Sequence, residues 1–121
     1  MSPIPDSDIL RDHITRPRNV GRLTKPDATG RAGKPGRGAF MVMEFRLVRG
    51  TVAEVRYQTF GCGPAIAAGS MLTEMITGRT VAESLALTKG ELIEALGGLP
   101  PNKTWCAGLA IQALHDGLNE R

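Results

Sequence analysis

An α+β fold, with helices packed on one face of a small antiparallel sheet, follows from three features of this 121-residue chain. Two alternating apolar–polar runs lie back to back in residues 39–60. Helix-start signals recur from Gly61 onward. The length suits one domain with a single core. Strands first and helices afterwards give that layout.

The elements can be taken in order. Residues 6–16 predict a short amphipathic helix, with Ile9, Leu10, His13 and Ile14 near one face. Asp6 or Ser7 caps it, and Pro17 ends it. Residues 17–38 are rich in Gly, Pro and Arg and predict a mobile loop with a short edge strand around 29–34. Met41, Met43, Phe45 and Leu47 then alternate with Val42, Glu44, Arg46 and Val48. After Arg49-Gly50, Val55, Tyr57 and Thr59 alternate with Glu54, Arg56 and Gln58. This is a β-hairpin with one buried face.

Pro64 suits the first turn of a helix that runs to about Thr77 and stops at Gly78. Thr80 with Glu83, and Thr88 with Glu91, match the Ser/Thr-x-x-Glu capping box. Residues 97–101 form a break. A last helix runs from about Trp105 to Leu118, capped by Asn102 or Thr104.

Composition narrows the function classes. Hydrophobic residues make up 41% and charged residues 22%, which excludes wholesale disorder. Residues 63–72, the longest largely apolar stretch, are about half of the ~20 that a spanning helix needs. The N-terminus has neither the basic nor the apolar region of a signal peptide. Two cysteines in that setting predict free thiols in a reducing cytoplasm. Residues 11–50 hold ten Lys/Arg against three Asp/Glu, and the remainder holds five against nine. That basic segment suits a solvated face or docking to an acidic protein. It does not suit nucleic acid, because few aromatics interleave the charges.

The chemistry centres on Cys62 and Cys106, 44 residues apart. Each sits at a helix start, where partial positive charge lowers a thiol pKa. Glycines at 61 and 63 leave the first sulfur accessible. Both could equally be small buried hydrophobes. His13 and His115 have no second ligand nearby in sequence and read as structural or solvated. Trp105 reads as core packing or a cover for the thiol, ahead of a partner contact.

Three ordered motifs resemble the NifU/IscU family of iron–sulfur assembly scaffolds. They are Asp12-His13-Ile14-Thr15-Arg16-Pro17-Arg18-Asn19-Val20-Gly21, Phe60-Gly61-Cys62-Gly63-Pro64-Ala65-Ile66-Ala67-Ala68-Gly69-Ser70, and Leu99-Pro100-Pro101-Asn102-Lys103-Thr104-Trp105-Cys106-Ala107-Gly108-Leu109-Ala110. The resemblance implies a three-stranded antiparallel sheet with helices packed on it. It also implies a [2Fe–2S] cargo built with sulfur from a cysteine desulfurase. The family site uses three cysteines, an aspartate and, in some members, a histidine. Cys62 and Cys106 match two of the cysteines, while the remaining positions fall on Arg37, Ala39 and Trp105. None of the three replacements is a metal ligand, so one chain holds no complete metal site.

Three roles stay open. The first is a sulfur relay that takes persulfide from a cysteine desulfurase on Cys106. Cys62 then receives or passes it, Arg37 holds the anion, and another scaffold or sulfur acceptor lies downstream. The second is a scaffold in which two chains pool four cysteines around a [2Fe–2S] cluster or iron. The third is an adaptor without chemistry, and a Cys62–Cys106 disulfide is a further possibility. The Leu-Pro-Pro-Val-Lys chaperone motif of the family has Asn102 in place of its valine, which puts chaperone recognition in doubt. Monomer and homodimer both fit.

Overall fold

The computed structural model describes residues 8–119. Helix α1 (Asp8–Thr15) comes first, followed by strands β1 (Ala28–Gly33), β2 (Phe40–Val48) and β3 (Thr51–Phe60). Helices α2 (Gly63–Ile76), α3 (Val81–Leu85), α4 (Lys89–Ala95) and α5 (Trp105–Leu118) complete the chain. The strands form one antiparallel sheet in the order β1-β2-β3. Helices α2 and α5 pack against it. No described helix is long and apolar enough to cross a membrane.

The hairpin forms where the alternation predicts it. Met41, Met43, Phe45, Val52, Val55 and Tyr57 are buried beneath the helices. Arg49 and Gly50 make a tight two-residue turn at φ 53° and 76°, the handedness that matches strand twist. The register shifts after the Arg46–Glu54 pair, so Ala53 bulges out and Val52 faces the core.

The 17–38 segment is more ordered than a loop. Residues 28–33 form β1, slightly earlier than the 29–34 expectation. Upstream, the Tyr57 N–H donates to the Asn19 carbonyl and the Gly21 N–H donates to the Tyr57 carbonyl, both at 2.9 Å. These bonds cover the open edge of β3. Glu44, expected outward, is buried because residues 22–25 fold across it and the Leu23 N–H donates to its Oε1 at 2.7 Å. The caps expected at Asp6 or Ser7 lie outside the described residues.

Both capping boxes form: Thr80 and Glu83 bond reciprocally, as do Thr88 and Glu91. Neither Asn102 nor Thr104 caps α5. A 3-10 turn at Pro101–Lys103 runs straight into that helix, and Thr104 already has helical angles of φ −64° and ψ −23°. Its hydroxyl turns back to the Pro101 carbonyl.

Helix α1 is fastened to α2 through a buried histidine. Ser70 Oγ accepts the Arg18 N–H at 2.9 Å and lies 2.6 Å from His13 Nδ1. The other ring nitrogen, Nε2, lies 3.6 Å from Glu74 Oε1. Burial lowers the His13 pKa, followed by the charge of Arg18; Glu74 and Asp12 oppose them. A lowered folded-state pKa means that the unfolded chain takes up this proton first as pH falls. Stability is therefore expected to fall as pH drops below about 6.5. Thermal melts should show that slope between about pH 7 and 5, and His13→Gln should flatten it. An unchanged slope in the variant would remove His13 as the cause.

Candidate thiol site

Strand β3 ends at Phe60 and the chain turns through Gly61 into α2. Cys62 is the residue before the first helical turn, with extended angles of φ −83° and ψ 174°. Its carbonyl accepts the N–H groups of Ala65 and Ile66 at 3.0 and 3.2 Å. Its side chain caps nothing, so the sulfur is left for other contacts. Tight packing fixes the turn. A Cβ on Gly69 would lie 2.4 Å from the Tyr57 ring, whose hydroxyl donates to the Ile66 carbonyl at 2.7 Å. A Cβ on Gly63 would crowd Ile14 of α1 at 3.2 Å.

Cys106 lies in the first turn of α5, which packs against α2. The two sulfurs meet at 3.6 Å. That is van der Waals contact, well beyond a ~2.05 Å disulfide bond, and both thiols are free. They differ in access: Cys62 is half-buried and Cys106 fully buried.

The helix-start argument for a low pKa fails at Cys106. Burial pushes this thiol up to about 12, and contact with the Cys62 sulfur adds to the rise. Lys103 offsets only part of it. Removing the sulfur from water costs the charged form more than a helix terminus returns.

Arg37 sits in the turn between β1 and β2, where its N–H donates to the Lys34 carbonyl at 3.0 Å. Gly33 pairs with Phe40, and Phe40 with Phe60. This turn therefore leaves the same end of the sheet that delivers Cys62. The Arg37 side chain is exposed and hydrogen-bonds neither sulfur. Ala39 is nearer, its methyl 3.6 Å from where a Gly61 Cβ would stand.

Trp105 is not a core residue. It is 43% exposed, with Lys103 Nζ 5.9 Å from its ring centroid. Phe60, 64% exposed, stacks on Phe40 at 6.1 Å and 13°. Sequence reasoning overlooked Phe60 as a site neighbour; its outward position in the β3 alternation was the available signal. His13 is structural. His115 is nine residues beyond Cys106 on α5, roughly 13 Å along the axis, beside Gln112, Asp116 and Asn119. The structure thus unites the two cysteines and leaves both histidines elsewhere.

Among the described residues, no three His, Cys, Asp or Glu side chains gather as a metal-holding set. A four-ligand iron–sulfur cargo needs two more donors than this pair supplies. What the pair can do alone is sulfur exchange: nucleophilic attack by one thiol, with a second in contact.

Residues 6–120 match the family described as "NifU-like N terminal domain". The chain is 43% identical over 108 residues to iron-sulfur cluster assembly scaffold protein IscU 1 of Archaeoglobus fulgidus, covering 89% of this chain and 71% of that protein. It is 42% identical over 106 residues to the corresponding IscU of Aquifex aeolicus, covering 86% and 68%. In three dimensions it is similar to the N-terminal part of a NifU-like protein from Brucella abortus. The TM-score is 0.78 at 14% identity, with 96% of this chain and 93% of that chain covered. The last likeness concerns the fold alone.

Proposed function

Because the chain belongs to the NifU-like N-terminal domain family of iron–sulfur cluster assembly proteins, we propose that it serves that process as a sulfur carrier rather than as a complete single-chain scaffold. The observation that carries this reading is the 3.6 Å contact between two thiols with no third ligand gathered beside them among the described residues. The donor is a cysteine desulfurase bearing a persulfide, as the family resemblance implies. Cys62 takes the sulfur, because its side chain is half-exposed and Cys106 is sealed. This reverses the order expected from sequence, where Cys106 was the acceptor. The Cys62 thiolate attacks the terminal sulfur of the donor persulfide. The donor's S–S bond breaks and its cysteine leaves as thiolate. Arg37 is an exposed cation at the same end of the sheet, able to meet the incoming anion.

The test is anaerobic incubation with a cysteine desulfurase and cysteine, followed by intact mass and absorbance with iron present. Sulfur uptake at Cys62 is expected, read as a gain of about 32 Da where Cys106 is replaced by serine and abolished in Cys62→Ser. After desalting, a chain without bound iron is expected. An unmodified chain would overturn the carrier reading. A coloured, iron-loaded chain would replace it with a scaffold that borrows ligands from elsewhere.

A further inference from the structure

We infer that the Cys62–Cys106 pair discharges a captured sulfur as inorganic sulfide, closing an intramolecular disulfide as it does so. The inference deepens the carrier reading and rests on it only for the identity of the donor.

Position decides which sulfur Cys106 can reach. A persulfide on Cys62 has an inner sulfur, the Cys62 Sγ itself, and an outer one about 2 Å further out. Cys106 Sγ already touches the inner sulfur at 3.6 Å. Cys106 and the next residue, Ala107, are fully buried, whereas Cys62 is only part-buried. An outer sulfur on Cys62 is best accommodated on its solvent side, away from Cys106. Attack at the inner sulfur therefore fits the packing, and transfer of the outer sulfur to Cys106 does not. The remaining approach to bonding distance requires only rotation about the Cys62 side chain, which no capping bond restrains.

Cys106, which burial holds in the thiol form, passes its proton toward the persulfide anion as its Sγ forms a bond to Cys62 Sγ. The bond between Cys62 Sγ and the outer sulfur breaks, and the electron pair leaves with the outer sulfur. That sulfur takes the proton and departs as hydrosulfide, reduced by two electrons. The two cysteine sulfurs supply those electrons and become the disulfide. Another round requires an external dithiol to reduce the disulfide, by the same exchange chemistry.

The pair is suited to this because the alternatives are removed. Arg37, Ala39 and Trp105 offer no lone pair that would hold a metal against the sulfurs. The thiols lie in different helix starts, so a bond between them joins α2 to α5 without spanning either helix.

The experiment loads the full-length chain from two sources in parallel: inorganic polysulfide, and a cysteine desulfurase with cysteine. Samples are desalted anaerobically without reductant, then followed by intact mass, peptide mapping and sulfide assay. With polysulfide, the wild type should lose two hydrogens, about 2 Da, and map to a Cys62–Cys106 disulfide with sulfide released. Cys106→Ser should keep the extra sulfur on Cys62, with a lifetime at least about tenfold longer. A wild-type adduct as durable as that of Cys106→Ser would overturn the inference, and so would sulfur found on Cys106. If polysulfide yields the disulfide while the desulfurase leaves the chain unmodified, the donor assignment fails and the release chemistry stands. If the desulfurase loads Cys62 and the adduct persists, the carrier reading stands and the release chemistry fails.

Discussion

Replacing Gly30 by alanine is expected to lower the melting temperature by roughly 10 °C or more. Gly30 lies in β1, buried under α5. A Cβ there would stand 1.9 Å from the Ala113 carbonyl oxygen, 2.6 Å from the Gly117 nitrogen and 2.9 Å from the Gly117 Cα. All three are backbone atoms of one helix, so no side-chain rotation relieves the clash. The contact is mutual: a Cβ on Gly117 would meet the Phe45 ring at 2.5 Å and the Gly30 nitrogen at 3.0 Å. Overpacking usually costs about 1–3 kcal/mol, and an immovable neighbour puts this case at the top of that range or above it. At roughly 4 °C per kcal/mol for a chain of this size, the loss is easily seen by circular dichroism. Gly108→Ala is the matched control. It lies in the same helix, and its new methyl would meet only the Lys89 side chain at 3.8 Å. Removing a helical glycine there should stabilise by about 0.5–1 kcal/mol. If the two variants melt together, the close approach of β1 and α5 is wrong.

The same contact explains why β1 was the hardest element to read. Its sequence, Ala28 to Gly33, carries no alternating hydrophobic signal. It is a strand because β2 offers a ladder and because the missing side chain at Gly30 lets α5 lie directly on it. An absent side chain leaves no periodicity. The hairpin was legible because one face of it is apolar at every second residue. The helix boundaries were legible because Pro64, Gly78 and the two Thr–Glu boxes act within a few residues of chain. What failed were local arguments overruled by distant neighbours. Glu44 is buried by a segment twenty residues upstream. Trp105 is turned outward although the residue after it is sealed. The pairing of Cys62 with Cys106 was implied by the family resemblance rather than by spacing. Their unequal exposure appeared only when α2 and α5 were packed.

That inequality sets the second large effect. In the folded protein at pH 8, Cys106 is expected to react with iodoacetamide at least about a thousandfold more slowly than an ordinary exposed cysteine. The thiolate is the reactive form. With the Cys106 thiol pushed up to about 12, only about one molecule in ten thousand is ionised at that pH. Burial of the sulfur slows reagent access further. Cys62 is half-buried and should carry the label first. The rate at Cys106 should climb about tenfold per pH unit toward 12 while the fold holds, and denaturant should abolish the difference. The same shift links to stability. The folded chain keeps a proton that the unfolded chain loses from about pH 9 upward, so stability falls as pH rises between about 9 and 12. Tyr57, its hydroxyl also pushed up to about 12 by burial, adds a second loss that begins nearer 10. Cys106→Ala should therefore remove the part of the alkaline decline that starts first and leave the later part in place. Equal labelling of both cysteines in the native chain would mean that Cys106 is not sealed, and the choice of Cys62 as the receiving thiol would lose its basis.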